Sequence, residues 1–197
     1  MRNLWGGRRG ATWMAGVAGA VVLLVGTSGC AAEPAPAPTS SASSSPTPAA
    51  PVFASDEEAL AAATEAYANY LATYDAAWSG DDTSMDAYLA LSTGSARQEE
   101  LESKKEWDAK GWRAIGTTSF DSMQLVDLEL EGGVQTVRTY VCLDVSKGDV
   151  VDASGASVAK ADRPLRIPLE VDFQAPTPDA DDIKVSRSEV WSGRNFC

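Results

Sequence analysis

The side chains with the most distinctive reactivity in this 197-residue chain are its three cysteines, Cys30, Cys142 and Cys197. The chain contains no histidine. Histidine-based catalytic triads, histidine metal ligands and a histidine pH switch are therefore excluded. The cysteines alone do not furnish the usual closed zinc site, and no stretch has the ordered acidic pattern of a calcium-binding loop. We expect neither a metal nor another cofactor.

Carboxylates outnumber basic side chains by 28 to 16, which gives a formal net charge of -12. This charge repels phosphate groups, so we expect no nucleic-acid partner and no attraction to anionic lipid headgroups.

The N-terminal residues have the layout of an export signal. Arg2, Arg8 and Arg9 precede an uncharged apolar run over residues 11–25. A charged segment followed by such a run is typical of an export signal. The run is shorter than the roughly 20 residues that a membrane-spanning helix needs.

Small residues then lead into Cys30, in the order Gly26-Thr27-Ser28-Gly29. This context resembles the lipobox of bacterial lipoproteins, with Thr27 where an aliphatic residue is commoner. The resemblance implies that residues 1–29 are a signal peptide and that Cys30 becomes the acylated first residue, carrying chains such as palmitate. It also implies a protein held by this lipid at the extracytoplasmic face of the cell membrane. The alternative is an ordinary cleaved signal that leaves Cys30 as a spare thiol.

Residues 30–54 are predicted to connect the lipid to a folded domain. Residues 31–52 are rich in proline, serine and alanine and hold almost no side chain that could build a core. Such a segment cannot bury enough apolar surface to offset the entropy lost on ordering. We predict a disordered linker that lifts the domain, residues 55–197, away from the bilayer.

With Cys30 assigned to the lipid, Cys142 and Cys197 remain as an even pair in an exported domain. Such a pair is most simply a disulfide, and the alternative is two unpaired thiols. The bond would close a loop of about 56 residues and would tie the chain's end to a central hairpin.

The first part of the domain has helical periodicity. Ser55 and Glu58 form a capping pattern, and residues 79–82 end the helix. Between them, apolar side chains recur every three or four residues over about six turns. These side chains are Leu60, Ala63, Tyr67, Tyr70, Leu71, Tyr74 and Trp78.

Two further helices are predicted before Gly111. A short one begins at Ser84, and a longer one covers residues 95–107. Because the longer helix is mostly charged, we expect it on the surface, held to the core through Leu101 and Trp107 alone.

Beyond Gly111, apolar and polar residues alternate as they do in strands. Pro168 argues that its strand lies at a sheet edge or contains a bulge. Strands are predicted over residues 112–115, 120–130, 134–145, 165–173 and 183–191, with turns at 132–133 and 152–155 and a loop over 175–182. The order predicts an α+β domain with helices against one face of an antiparallel sheet.

The aromatic first helix, the short helix containing Tyr88-Leu89-Ala90-Leu91 and the long run of strands resemble the nuclear transport factor 2-like superfamily. This superfamily is also called cystatin-like or polyketide-cyclase-like. The resemblance implies a cone in which a long N-terminal helix lies in a cupped antiparallel sheet.

Some members of that superfamily are isomerases, dehydratases or cyclases that use a pocket carboxylate and a tyrosine. The carboxylate would abstract a proton while a hydroxyl stabilises the enolate. No motif selects one carboxylate or links it to a tyrosine, so we expect no catalytic residue. The candidates would be Asp75, Asp121, Asp127 and Asp144 as acid or base, and Tyr67, Tyr74 and Tyr140 as donors.

Two binding surfaces are also predicted. The stripe of Tyr67, Tyr70, Tyr74 and Trp78 either fills the core or lines a small-ligand pocket. The outward sheet face either is plainly solvated or contacts another envelope protein or a second copy of the chain. That face includes Arg138, Tyr140, Arg166, Glu170 and Asp172.

The sequence therefore favours a lipid-anchored, non-catalytic binding or protein-interaction module. The alternative is a small-molecule pocket protein with isomerase-like or dehydratase-like acid-base chemistry.

Overall fold

The computed structural model describes residues 50–176 and 182–197. These residues fall within one compact unit. The predicted signal peptide, Cys30, nearly all of the predicted linker and part of the predicted loop at 175–182 lie outside the described residues. Of the helices in the described ranges, none is both long and apolar enough to span a bilayer.

Three helices begin the domain: α1 at Asp56–Ala77, α2 at Asp82–Ala90 and α3 at Gly94–Lys110. The Ser55 Oγ caps α1 by accepting from the Glu58 N–H at 3.2 Å. The Glu58 carboxylate accepts from the Ala54 N–H at 2.7 Å, one residue earlier than in the usual capping box. Gly111 ends α3 in the left-handed conformation, at φ 64°.

Six strands follow within the described ranges, and all their pairings are antiparallel. They are β1 at Arg113–Gly116, β2 at Ser119–Glu131, β3 at Val134–Asp144, β4 at Gly148–Val151, β5 at Arg166–Pro176 and β6 at Lys184–Val190. One sheet has four strands in the order β2-β3-β5-β6, and the other pairs β1 with β4. The predicted α+β class, with three helices and antiparallel strands, is confirmed. The prediction of five strands in one sheet missed β4 and the separate two-stranded sheet that it forms with β1.

Pro168 does not lie in an edge strand, because β5 pairs with β3 on one side and β6 on the other. The Pro168 carbonyl accepts from the Trp191 N–H at 2.8 Å, one residue before the Leu169–Val190 pair where β6 joins. The backbone N–H that proline lacks would therefore point toward β6, just beyond the last residue pair of the β5–β6 ladder. No hydrogen bond inside that ladder is lost. An interior strand tolerates the proline at this position.

The folded domain begins before the predicted boundary at Ser55. Phe53 is buried in the core. The backbone N–H groups of Val52 and Phe53 both donate to the Gln135 Oε1, at 2.7 and 3.3 Å. These bonds hold the start of the domain to β3.

The main core lies between α1 and the four-stranded sheet. The Tyr67 ring packs edge-on against Phe120 of β2 and Phe173 of β5, with centroids 5.0 and 6.1 Å apart. The aromatic helix face that the sequence predicts is therefore the face that contacts the sheet.

Candidate functional site

The predicted pocket residues of α1 fill the core. Tyr67, Tyr70 and Trp78 are 1, 2 and 5 % exposed, and Tyr74 is half-buried. Their rings contact one another and their neighbours, for example Tyr74 and Trp78 at 5.8 Å between centroids. Burial raises the pKa of the Tyr67 hydroxyl, and burial followed by the nearby Asp75 charge raises that of Tyr74. Of the two interpretations left open for this stripe, the described contacts fit core packing.

A buried hydrogen-bond chain joins all three helices. The Tyr88 hydroxyl donates to the Tyr70 hydroxyl at 2.7 Å, and Tyr70 donates to the Glu100 Oε1 at 2.6 Å. The Ser92 hydroxyl donates to the Glu100 Oε2 at 2.5 Å. Glu100 is only 4 % exposed, so both oxygens of its carboxylate depend on these hydroxyls.

Burial raises the pKa of Glu100, and the hydrogen bonds from Ser92, Tyr70 and Tyr88 oppose that shift. Burial also raises the pKa of both tyrosines well above the ordinary value. The chain therefore unites a carboxylate and two neutral hydroxyls, which are the groups of acid-base chemistry, in a place that a substrate does not reach.

Glu100 was not among the residues predicted from the sequence. Leu101 and Trp107 were expected to attach α3 to the core, but Leu101 is exposed, while Trp107 is half-buried against Trp78. The buried residues of α3 are Ala96 and Glu100. Residues four apart lie on the same face of a helix, so Glu100 shares the face of the small apolar residue Ala96. This spacing is the signal in the sequence that Glu100 could be buried.

The aspartates considered as acids or bases have structural partners instead. The Asp75 carboxylate accepts from the Thr118 N–H at 3.0 and 3.2 Å and so fixes the start of β2 to α1. Arg166 bridges Asp121 and Asp144, at 2.8 and 3.4 Å. Hydrogen bonds lower the pKa of both, mainly those from Ser122 and Ser146, with Arg166 adding to them.

The remaining candidates, Asp127 and Tyr140, also have partners within the domain. Asp127 lies 3.9 Å from the Arg138 guanidinium. The Tyr140 ring packs between Trp191 and Phe196, with centroids 4.7 and 5.5 Å away.

The outward sheet face pairs its charges internally. Asp172 accepts from Arg138 at 3.1 Å and from Arg187 at 2.8 Å. Arg187 also donates to Glu170, and these hydrogen bonds raise the pKa of Arg187, that with Asp172 most strongly. Three of the residues predicted as a partner surface, Arg138, Glu170 and Asp172, are therefore paired. Arg187 of β6, which was not predicted, completes these ion pairs across three strands.

The end of the chain folds onto the same face. Cys142 is fully buried, and its sulfur lies at disulfide distance from that of Cys197, with Cα atoms 5.5 Å apart. The separation in sequence is 55 residues. Together with the Tyr140 contacts, this arrangement ties the terminal residues to β3.

An open groove of about 480 Å³ lies between the start of α1 and the middle of β2. Its lining combines apolar and acidic side chains, namely Leu60, Leu125, Val126 and Leu128 with Asp56, Glu57 and Asp127. We call this site the α1–β2 groove. It was not predicted from the sequence, because it forms at a strand irregularity.

The irregularity is a bulge in β2. Leu125 pairs with Thr139 while Asp127 pairs with Arg138, so Val126 is the extra residue between two consecutive partners. A bulge bends the strand and redirects the side chains around it. Val126 consequently projects an exposed apolar side chain into the α1–β2 groove.

Within the described ranges, no group of three or more acidic or cysteine side chains is arranged to hold a metal ion.

No protein-family model matches the chain, and no curated protein is significantly similar to it. Solved structures do show distant similarity. The intermembrane-space region of the chloroplast protein ARC6 aligns at TM-score 0.46 and 9% identity, over 68% of this chain and 97% of that one. Aln2 from a Streptomyces species aligns at TM-score 0.37 and 15% identity, over 69% of this chain and 90% of that one. Similarity at this level carries no functional argument.

Proposed function

We propose that the protein is an exported lipoprotein whose domain is a non-catalytic module that binds another envelope protein. Cys30 carries the lipid, and the residues before the domain are the linker that gives it reach from the extracytoplasmic face of the membrane. The lipobox-like context of Cys30 and the proline-rich composition of residues 31–52 support this assignment.

The observation that carries the binding role is the burial of the groups that an acid-base enzyme would use. Tyr70, Tyr88 and Glu100 satisfy one another inside the core, away from any substrate. The α1–β2 groove, in contrast, is open and carries three carboxylates beside apolar side chains. A partially apolar groove with a few charged groups is typical of a recognition site.

We also propose that the helices and the four-stranded sheet form the cone of the nuclear transport factor 2-like superfamily. The long helix α1 lies against one sheet face. Two register shifts in β2, at Asp121–Gln124 and Leu125–Asp127, provide the local bends by which sheets become cupped.

The anchor is tested by Cys30→Ala. We expect this variant to leave the membrane fraction, because the acyl chains are the only proposed attachment. Fractionation of cells that express the wild type or the variant, followed by immunodetection, measures the result. The Cys197→Ser variant is the control and should stay in the membrane. Retention of Cys30→Ala in the membrane would contradict the lipid anchor.

The binding role is tested by native mass spectrometry and by cross-linking in intact cells. We expect the purified exported chain to show only its own mass, with no small molecule released on mild denaturation. Cross-linking of the anchored chain should give a defined adduct with another envelope protein. A small molecule that leaves on denaturation, with no protein adduct, would contradict the proposal.

That outcome would favour the second candidate, a small-molecule pocket protein. The contact between Tyr70 and the Glu100 carboxylate, whose pKa burial raises, is the observation in its favour. It would require the core to open, because both side chains are buried.

A further inference from the structure

We propose that the α1–β2 groove binds an extended segment of a partner protein that presents both basic and apolar side chains on one face, at every second position. This inference rests on the proposed binding function and adds the place and the chemistry of recognition.

The apolar part of the groove explains why an apolar side chain would enter it. Leu125 and Leu128 are partly buried against the core, and the rest of their surface lines the groove beside Leu60. Val126 is 42 % exposed, because the bulge leaves it without a cross-strand partner. Covering these side chains with an apolar residue removes their surface from water.

The charge of the groove selects the sign of the partner. Asp56 and Glu57 lie on one side and Asp127 on the other, and no basic residue lines the site. Asp56 and Glu57 also offset the dipole of α1. Asp127 has no such role, and its distance of 3.9 Å from Arg138 leaves it available to a second cation. Basic side chains two residues before and two residues after an inserted apolar residue share its face of an extended segment, so they would meet these carboxylates.

The shape of the site favours an extended segment. Within the described residues, β2 pairs with β3 alone and is one edge of its sheet. The opposite edge strand, β6, is covered where Val185 exchanges backbone hydrogen bonds with Leu91 and Thr93, at 3.1 and 2.8 Å. An open strand edge beside a groove is a common docking place for extended peptides, whose alternate side chains enter the groove.

The overall charge argues against a second copy as the occupant. A copy of the chain brings a formal charge of -12 and the same acidic groove. Like charges facing each other at an interface are strongly unfavourable.

The test uses the full exported chain and a fluorescent synthetic octapeptide that carries lysine and leucine in turn at every second position, with serine between them. Octapeptides that have glutamate or serine in place of each lysine are the comparison probes. Fluorescence anisotropy should show binding of the lysine peptide that weakens as salt is added, with the glutamate peptide at least about tenfold weaker.

Val126→Lys places a positive charge in the groove. We expect it to weaken binding of the lysine peptide at least about tenfold, because like charges then meet. Val190→Lys is the matched control, since Val190 is 46 % exposed on the opposite edge strand. It should bind as the wild type does. If Val126→Lys fails to fold, the double variant Glu57→Gln, Asp127→Asn replaces it and should also weaken binding.

Several results would overturn the inference. They are failure of the lysine peptide to bind, equal binding by Val126→Lys and Val190→Lys, and equal affinity for the glutamate peptide. Self-association that Val126→Lys abolishes would assign the groove to a second copy instead. A cross-linked envelope protein that persists in Val126→Lys cells would overturn the groove assignment while the proposed function survives.

Discussion

Glu100→Ala should lower the free energy of unfolding by about 3 kcal/mol, making it among the most damaging single substitutions in the domain. The Tyr70 and Ser92 hydroxyls would lose their acceptor inside the core. A buried polar group left without a partner costs about 1–3 kcal/mol, and the removed side chain also leaves a cavity. Urea unfolding at neutral pH measures the loss.

The control for this substitution is Glu102→Ala on the same helix. Glu102 is exposed, and its carboxylate accepts from Gln98 one turn away. Its removal should change the free energy of unfolding by less than about 0.5 kcal/mol. Equal effects of Glu100→Ala and Glu102→Ala would show that the buried hydrogen-bond chain does not contribute to stability.

Glu100→Gln separates the charge of this side chain from its hydrogen bonds. Burial raises the pKa of Glu100 in the folded state above its ordinary value of 4.5. Its contribution to stability is therefore fully present below the unfolded-state pKa and is lost as the pH rises through the folded-state pKa. Because glutamine does not titrate, the wild type should lose stability relative to Glu100→Gln as the pH rises above about 4.5. A difference that is constant with pH would contradict this assignment.

Features set by local periodicity were predictable from the sequence. The stripe through Tyr67, Tyr70 and Trp78 repeats at helical spacing, and the three side chains lie buried on one face of α1. The cap at Ser55 and the end of α3 at Gly111 likewise depend on residues close in sequence. Such signals need no knowledge of which elements pack together.

Features set by long-range packing were not predictable in the same way. Arg138 and Asp172 neutralise each other only because the register of β3 and β5 places them opposite. Glu100 is buried beside hydroxyls that Tyr70 of α1 and Ser92, in the connection between α2 and α3, supply to it. The spacing of Glu100 from Ala96 places both on one helix face, but it does not reveal the hydroxyls that other elements supply.

The two bulges of β2 correspond to breaks in the alternation of apolar residues. The prediction of a regular strand over residues 120–130 did not take these breaks into account. The apolar residues Phe120, Met123, Leu125 and Leu128 follow one another at intervals of about three, two and three, whereas a regular strand requires two. Each interval of three coincides with a register shift. The α1–β2 groove forms at the second of them, so the break in alternation was the sequence mark of the candidate site.

Cys197→Ser is expected to lower the free energy of unfolding by up to about 4 kcal/mol. The proposed bond to Cys142 closes a loop with a separation of 55 residues. A cross-link of that length restricts the unfolded chain strongly in the chain-entropy model. The contact of Phe196 with the Tyr140 ring would then be left to hold the chain's end without the bond. Cys142 should tolerate the change, because a buried thiol behaves as a small apolar side chain. Denaturant unfolding without reductant measures the effect.

Unfolding in the presence of a reductant is the internal control. The reductant should lower the stability of the wild type, which has the proposed disulfide, and should leave that of Cys197→Ser unchanged. Reduced wild type and Cys197→Ser should unfold at similar denaturant concentrations, whereas the oxidised wild type should resist longer. Peptide mapping of the oxidised protein should recover Cys142 and Cys197 in one linked fragment. Two freely alkylated peptides, or an equal response of the variant to reductant, would show that the proximity of the two sulfur atoms does not lead to a bond. In that case the contacts of Trp191 and Phe196 with Tyr140 would be what holds the chain's end on the outward sheet face.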